Sequence, residues 1–370
     1  MTGPTRTAAP DDAWVALALV EGLSPRKVLD LTTRFGGADG VLAESPAALR
    51  AVGLDEAMIA ALGGARERAA REREALGRTG ATVVSWVSDA YPARLRTIAD
   101  PPLALFVRGT LDLGADVAVA IVGARRAGEY GRRIAEELAC GLAQAGLTVV
   151  SGLAAGIDAA AHRGALAAGG RTVAVMATGI DLVYPAWHRA LAREIVADGA
   201  LVTEFPCGAP PLHFHFPRRN RIISGLTVGT VVVEAAERSG SLITAEFAVE
   251  QGRDVFAVPG PIGTPHHRGS HRLIQHGAKL VTSVEDILDE IAPARRAQLA
   301  AARARTQRAA LAPSERMLME TLTNGTLHID AIVASTGLDA SRALETLLAL
   351  ELRGLVEQRP GMRFAARNAA

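Results

Sequence analysis

The amino-acid sequence predicts an α/β protein built on a doubly wound, mainly parallel sheet, with an N-terminal helical domain and a C-terminal winged helix. Three observations predict this fold. From about residue 103 to 292, apolar runs, glycine turns and helical segments follow one another repeatedly. Short amphipathic helices precede this region, and three helices with a hairpin pattern come after it. A length of 370 residues also suggests two or three domains.

Residues 1–80 are expected to form a domain of helical hairpins, of the helix-hairpin-helix or SAM-like kind. Short amphipathic helices are broken by Gly-Leu turns at residues 22–23 and 53–54, so the pattern of helix, tight turn and helix occurs twice. An Arg- and Glu-rich helix over Arg66–Arg78 then leads into a strand within residues 81–87.

Residues 81–292 are expected to form a Rossmann-like domain. Several strand candidates are continuous apolar runs, which is typical of strands covered on both faces. Because helical segments join the strands, right-handed crossovers and a mainly parallel sheet follow, with the ligand crevice at the carboxyl ends of the strands. The candidates are Leu103–Val107, Val117–Val122, Leu147–Ser151, Thr172–Met176, Leu201–Glu204, Thr230–Glu234, Val255–Val258 and Lys279–Val281.

The C-terminal part is expected to contain a basic linker and a winged helix. Residues 293–312 carry arginine and alanine without an apolar period, whereas residues 313–370 show three helices and a hairpin. The third helix has only Arg342 and Arg353 against three acidic residues. Readout of duplex DNA by this helix is therefore not expected, and packing or partner binding is favoured.

Composition excludes several classes of protein. The net charge is only +1, so any polyanion must be bound by a local concentration of charge. Of the 40 basic residues only Lys27 and Lys279 are lysines. Arginine suits phosphate contacts, although high-GC codon usage explains the same bias.

Cys140 and Cys207 make neither a disulfide framework nor a four-ligand zinc site. Without a signal peptide pattern or an apolar run of about 18 residues, a cytoplasmic, non-membrane protein is expected.

The turn Gly123–Gly131 (GARRAGEYG) predicts a phosphate site. Glycine allows close approach of the backbone, and the free amides of a helix opening near Glu129 favour an anion. The glycine spacing is not that of GxGxxG, and Glu129-Tyr130 stand where a P-loop has Lys-Ser/Thr. Neither NAD binding nor ATP hydrolysis is therefore expected, and no cofactor is predicted. The alternative is an ordinary strand-to-helix turn with solvated arginines.

Two groups of residues invite a catalytic or metal-binding interpretation. Asp158 and His162, four apart after Gly152 and Gly156, share a helix face and make either a general base or a structural hydrogen bond. With no nucleophile beside them, the structural interpretation is favoured. The spacing of four loop histidines matches no metal template, so no metal is predicted; they are His266, His267, His271 and His276.

The stretch FHFPRRNRIISGL predicts a nucleic-acid contact. Pro217 suits the first position of a helix, on which Arg218 and Arg221 lie on one face. Phe214 and Phe216 just ahead of them add stacking platforms, a combination that suits single-stranded DNA. The alternative is a solvated basic helix end whose phenylalanines fill the core.

Together these motifs resemble the DNA-processing protein A family (DprA, also called Smf). The stretches that carry the resemblance are VGARRAGEYG, SGLAAGIDAAAH, VMATGIDLVYPAWH, FPRRNRIISGL, VVVEAAERSGSLITAEFAVEQGRDVFAVPG and LIQHGAKL, in order through residues 121–280. The resemblance implies a non-enzymatic recombination mediator of natural transformation, or competence. Such a protein binds single-stranded DNA, protects incoming strands, helps load the RecA recombinase and forms a homodimer through its Rossmann-like domain.

The resemblance also implies a set of DNA-binding residues. Two positions depart from the family pattern, namely Ala124 where serine is usual and His271 where asparagine is frequent. The implied set is Gly123, Arg125, Gly152, Phe216, Arg218, Arg219, Asn220 and Arg221.

Two alternatives stay open. The first is a nucleotide-processing hydrolase of the lysine-decarboxylase-like Rossmann group, whose PGGxGTxxE loop is loosely matched by SGSLITAE with Glu246. The second is a winged-helix transcription regulator with a nucleotide-sensing domain, which would need a more basic third helix than this chain has.

Overall fold

The computed structural model describes residues 11–113, 117–309, 311–323 and 325–366. The predicted domains at 1–80, 81–292 and 313–370, and the predicted linker, therefore each include residues outside the described part. The chain divides into two compact units at residues 296 and 297, and each unit is described by itself below.

The N-terminal region is helical, as predicted. Its helices begin at good capping residues: the side chains of Ser24, Ser45 and Asp55 each accept a hydrogen bond from the backbone N–H three residues later. Lys27 Nζ donates to the carbonyl of Val52 at 2.7 Å and so joins the two hairpins. The helices are α1 Asp11–Ala18, α2 Pro25–Phe35, α3 Ala38–Ala43, α4 Pro46–Ala51, α5 Glu56–Gly63 and α6 Ala65–Thr79.

A nine-stranded sheet follows, and its mainly parallel, doubly wound form confirms the predicted fold class. The strands are β1 Thr82–Ser85, β2 Ala104–Gly109, β3 Ala118–Val122, β4 Thr148–Ser151, β5 Thr172–Val175, β6 Ala200–Thr203, β7 Gly229–Val232, β8 Asp254–Ala257 and β9 Lys279–Leu280. Their spatial order is β1-β2-β6-β5-β4-β3-β7-β8-β9. The strand predicted at Leu103–Val107 is not part of the parallel set, because β2 runs antiparallel to both β1 and β6.

Helices connect the strands, and most of them cover the sheet. β3 lies between β4, the next strand along the chain, and β7, so the strand order reverses there and leaves a crevice at the carboxyl ends. Helix α11 begins at His215, two residues before the predicted start at Pro217. The helices are α7 Ala93–Arg96, α8 Glu129–Gln144, α9 Ile157–Ala167, α10 Arg189–Asp198, α11 His215–Gly225, α12 Gly240–Glu250, α13 Arg268–Gln275 and α14 Val284–Ile291, with short 3₁₀ turns at Ala186–His188 and Pro265–His267.

The N-terminal helices and the central sheet share one core. Trp14 and Leu17 of α1 belong to the same buried apolar cluster as Phe106 of β2 and Ile195 of α10. Glu72 of α6 adds a polar link, since its Oε1 accepts a hydrogen bond from the backbone N–H of Cys207 at 2.8 Å. The helices are thus packed on the sheet by a continuous apolar interface.

The second unit contains the predicted winged helix. Helix α15, Pro293–Ala309, begins in the first unit and occupies most of the segment predicted as a basic linker. The elements that follow are α16 Pro313–Leu322, β10 Leu327–His328, α17 Ile329–Thr336, α18 Ala340–Leu352, β11 Val356–Arg359 and β12 Arg363–Ala366. The strands form an antiparallel sheet in the order β10-β12-β11, packed around a core that includes Leu318, Ile332, Leu347 and Phe364. Within the described ranges, no helix has the length and apolar character needed to cross a membrane.

The shared core makes a prediction about stability. Leu17 is fully buried in the common cluster, so Leu17→Ala should lower the free energy of unfolding by about 2–5 kcal/mol. The loss should reach the sheet as well as the helices, measured by urea unfolding and by hydrogen exchange of the β2 and β6 amides. The control Leu212→Ala, at an exposed position, should change stability by less than about 0.5 kcal/mol. Unchanged protection of the sheet amides in Leu17→Ala would show that the helices unfold separately.

Candidate functional site

A pocket of about 400 Å³ opens at the carboxyl edge of the sheet, beside the point where the strand order reverses. Its walls come from the loops after β3 and β4, from α11 and the segment before it, and from the first turns of α12. The lining residues are Val122, Gly123, Arg125, Ala154, Asp158, His213, Phe216, Pro217, Arg219, Asn220, Ile223, Ser239, Gly240, Ser241, Ile243 and Thr244. The location is the one at which doubly wound sheets bind their ligands.

Arg125 and Phe216 form a cation–π pair in this pocket. The guanidinium carbon of Arg125 lies 4.4 Å from the centroid of the Phe216 ring. Arg125 is exposed, whereas Phe216 is half-buried. The pocket therefore joins a guanidinium, whose donors suit a phosphate, to an aromatic ring of the kind on which bases stack.

Arg219 lies buried in the wall of the pocket. Its Nη1 donates to the carbonyl oxygens of Gly152, at 2.7 Å, and Val175, and its Nε donates to Asn220 Oδ1 at 3.2 Å. Burial lowers the pKa of Arg219 to about 10, and the nearby carboxylate of Asp158 opposes this shift. The side chain thus stays charged at neutral pH and adds a fixed positive charge to the pocket.

Gly152 makes room for this arginine. A Cβ atom at position 152 would lie 2.2 Å from Nη1 of Arg219 and 2.5 Å from its Cζ. Gly123 is constrained in the same way, because its Cβ would lie 2.6 Å from Cγ1 of Ile157. Gly123 lines the pocket and Gly152 does not; Gly152 supports it through its carbonyl group.

Asp158 and His162 have separate partners, which agrees with the structural interpretation. Asp158 Oδ2 accepts hydrogen bonds from the backbone N–H groups of Gly152, at 3.1 Å, and Ala154, at 3.3 Å. Burial raises the pKa of the Asp158 carboxyl. His162 is fully buried with Nδ1 2.7 Å from Thr172 Oγ1, and burial lowers its pKa to about 3.

The phosphate site predicted at the start of α8 already holds an anionic side chain. The backbone N–H of Gly128 donates to the carboxylate of Glu234 at 3.1 Å, and Ala124 N–H donates to the Glu234 carbonyl at 2.7 Å. The backbone N–H of the residue that caps α8 is therefore not free, in contrast to the prediction. Residues from the first turns of α9 and α11 line the pocket, and so do Ser239, Gly240 and Ser241 at the start of α12. Helix N-termini attract anions. Sequence reasoning missed the start of α12, although the serine-rich run before an apolar stretch is typical of a helix start.

Arg218 and Arg221 are turned towards Glu204 and do not line the pocket. Glu204 Oε2 accepts hydrogen bonds from Nη2 of Arg221 at 2.6 Å and of Arg218 at 3.0 Å. Arg221 is buried and its Nε lies 3.2 Å from Asp100 Oδ2. The two carboxylates compensate the charge of Arg221, and Arg221 does not line the pocket that contains Arg125, although the family resemblance implies a DNA-binding role for both. Arg218 keeps half of its side chain exposed.

Of the remaining candidates, Glu246 and His271 fall outside the pocket and Asn220 lines it. Glu246, the acid of the hydrolase alternative, is exposed and lines a separate groove between α12 and α13. His271 Nε2 lies 2.9 Å from the Gly260 carbonyl oxygen. Among the described residues, no group of three histidine, cysteine or acidic side chains is arranged to hold a metal. Asn220 lines the pocket and donates to the Gly240 carbonyl, which fixes α11 against α12.

Family models match most of the chain. The model for DNA recombination-mediator protein A matches residues 82–292, and that for the DprA winged helix domain matches residues 294–362. The chain is 50% identical over 205 residues to protein Smf of Escherichia coli, a match that spans 55% of each chain. It is 38% identical over 373 residues to a DprA relative from Mycobacterium tuberculosis, covering 96% of this chain and 91% of the relative.

Solved structures agree with these matches. The crystal structure of DNA processing protein A from Streptococcus pneumoniae superposes with a TM-score of 0.67 and 38% identity, covering 78% of this chain and 99% of that one. DNA processing protein A from Helicobacter pylori, whose structure addresses a single-stranded DNA binding mode, gives a TM-score of 0.52 at 26% identity. That match covers 56% of this chain and 94% of the other.

The close contact between Gly152 and Arg219 predicts the effect of a small substitution. Gly152→Ala should lower the free energy of unfolding by about 1–3 kcal/mol, because the added methyl displaces a buried guanidinium. The matched control Gly77→Ala adds a methyl where no atom lies within 4 Å. It should be neutral or stabilising by up to about 1 kcal/mol. Urea unfolding of both variants measures the difference, and equal midpoints would contradict the proposed packing.

The buried His162 predicts a dependence of stability on pH. Its folded-state pKa of about 3 lies below the ordinary value of 6.5, so the unfolded state binds more protons between these values. Its contribution is complete above pH 6.5 and is lost as the pH falls towards 3, by up to about 1.4 kcal/mol per pH unit. His162→Gln should flatten this acid slope in urea titrations at several pH values. The exposed-site variant His276→Gln should keep the original slope, and identical slopes in both variants would refute the assignment.

Proposed function

This chain belongs to the DNA recombination-mediator protein A (DprA/Smf) family, and we propose that it binds single-stranded DNA in the pocket at the carboxyl edge of its sheet. The observation that carries the proposal is the contact of Arg125 with Phe216 at 4.4 Å in the pocket. A single strand offers phosphates and unpaired base faces together, whereas a duplex hides its base faces.

Charge and shape support a strand-binding role for the pocket. Arg125 provides exposed donors, Arg219 a buried positive charge, and the first turn of α12 a helix N-terminus. These three features favour an anion in one cavity of about 400 Å³. Because the lining residues fall between positions 122 and 244, we take residues 81–292 as the DNA-binding domain.

The proposed role is one of binding rather than of catalysis. Asp158 accepts hydrogen bonds from backbone amides and the His162 ring lies within hydrogen-bond distance of the Thr172 hydroxyl, so both side chains are engaged in holding the scaffold. We further propose that the protein protects incoming strands and helps load the RecA recombinase on them, acting as a homodimer through the Rossmann-like domain. These finer roles rest on the family membership.

The proposal predicts a specific effect of removing one arginine. Arg125→Ala should weaken binding of an oligothymidylate by about 1–3 kcal/mol, as expected for a charge-assisted hydrogen bond. It should also flatten the slope of log affinity against log salt by about 0.7, because one phosphate contact is lost. Fluorescence anisotropy at several salt concentrations measures both quantities.

The neighbouring Arg126 provides the matched control, since it is exposed and does not line the pocket. Arg126→Ala should change affinity by less than about 0.5 kcal/mol. The same two variants test the RecA role: Arg125→Ala should lose stimulation of RecA-driven strand exchange and Arg126→Ala should retain it. Equal affinities and salt slopes in both variants would remove the pocket assignment, and turnover of nucleotides by the purified protein would restore the hydrolase alternative.

A further inference from the structure

We propose that Tyr184 and Trp187, on the turn after β5, form a second base-stacking site for single-stranded DNA that continues from the pocket through Phe216. The inference rests on the proposed function and extends it from a phosphate-binding pocket to a surface that holds several consecutive nucleotides. It assigns a role to two side chains that lie outside the pocket lining.

Most of the exposed aromatic side chains of the described residues belong to segments beside the pocket. Aromatic residues make up only 4% of the chain, and those of the described residues that are exposed are Tyr130, Tyr184, Trp187 and Phe214. Three of these four belong to the two segments that meet at Phe216, with 47% of Tyr184, 75% of Trp187 and 64% of Phe214 exposed. Leaving such large apolar rings in water is unfavourable, so their presence on the two segments that meet at Phe216 indicates a binding surface.

Tyr184 is continuous with the pocket through Phe216. The Tyr184 and Phe216 ring centroids lie 5.9 Å apart, and the guanidinium carbon of Arg125 lies 4.4 Å from the Phe216 ring centroid. The planes of the two rings are inclined by 64°, so they cannot both stack on one base. Two rings at different angles suit successive unpaired bases, which turn freely about their backbone.

The turn that carries Trp187 is fixed to the loop that forms part of the pocket wall. His188, the next residue, is buried, and its Nδ1 lies 2.9 Å from the carbonyl oxygen of Leu153. The residue after Leu153 is Ala154, which lines the pocket. The exposed indole thus stands on a turn tied to the loop that forms the site, and such preorganisation lowers the entropic cost of binding.

The surroundings favour a nucleic-acid strand over an apolar protein partner. Guanidinium groups accompany the exposed rings: Arg125 lies over Phe216, and Arg218 on the same helix as Phe216 keeps about half of its side chain exposed. Cations beside aromatic rings match a ligand that alternates phosphates and bases, whereas the core of a protein interface is depleted of charge.

The experiment compares oligothymidylates of increasing length, from about 4 to about 16 nucleotides, with the full-length protein. Trp187→Ala and Tyr184→Ala should each weaken binding of the longest strand by about tenfold, the loss of one stacked base. Both should leave the affinity of the shortest strand unchanged, whereas Arg125→Ala should weaken binding at every length. Trp187→Phe should restore most of the affinity, and Val249→Ala, which removes an exposed apolar group from the far end of α12, should have no effect.

Intrinsic fluorescence gives a second readout. Trp187 is exposed, whereas Trp14 is buried and Trp86 is half-buried, so the longest strand should quench tryptophan emission in the unmodified protein and much less in Trp187→Phe. Unchanged affinity at every length in Trp187→Ala and Tyr184→Ala, with Arg125→Ala still impaired, would overturn this second site and leave the pocket. Failure of Trp187→Phe to restore affinity would also overturn it. Absence of binding by the unmodified protein would overturn the proposed function as well.

Discussion

The burial of Arg219 is the constraint on which the rest of the site depends. A guanidinium in the interior needs hydrogen-bond acceptors and a nearby negative charge, and here the carbonyl groups at the ends of β4 and β5 and the carboxylate of Asp158 supply them. These partners fix α11 against the carboxyl ends of the strands. The position of α11 then decides where Phe216 and Asn220 stand, and through Phe216 it decides where Arg125 can rest.

At this edge of the sheet, some charged side chains form buried ion pairs and others remain exposed to solvent. Glu204 forms ion pairs with Arg221 and with Arg218. The carboxylate of Glu234 accepts a hydrogen bond from the backbone N–H of Gly128 at the start of α8. Removing one partner of such a buried pair would leave the other charge uncompensated and destabilise the fold. Arg125 instead keeps its donors in water, so its charge remains available to a ligand.

The fold could be predicted from the sequence because its strands are continuous apolar runs and its turns are marked by glycine. Five of the eight predicted site residues reach the pocket wall, since strand ends and the following helix place them by local geometry. The partners of Arg218 and Arg221 could not be predicted, because Glu204 approaches from another loop 14 to 17 residues away. The occupied start of α8 was missed for the same reason: Glu234 lies 106 residues further along the chain. No local pattern records such tertiary pairing.

The core shared by the N-terminal helices and the sheet limits how this chain can vary in evolution. Phe106 of β2 and the preceding Leu103 belong to the same buried cluster as residues of the N-terminal helices, which lie up to about 90 positions earlier in the chain. Removing these helices would uncover part of that cluster. The helices therefore cannot be gained or lost as an independent cassette. A lineage that dispenses with them must replace the apolar residues of this sheet edge by polar ones, or recruit another segment to cover it.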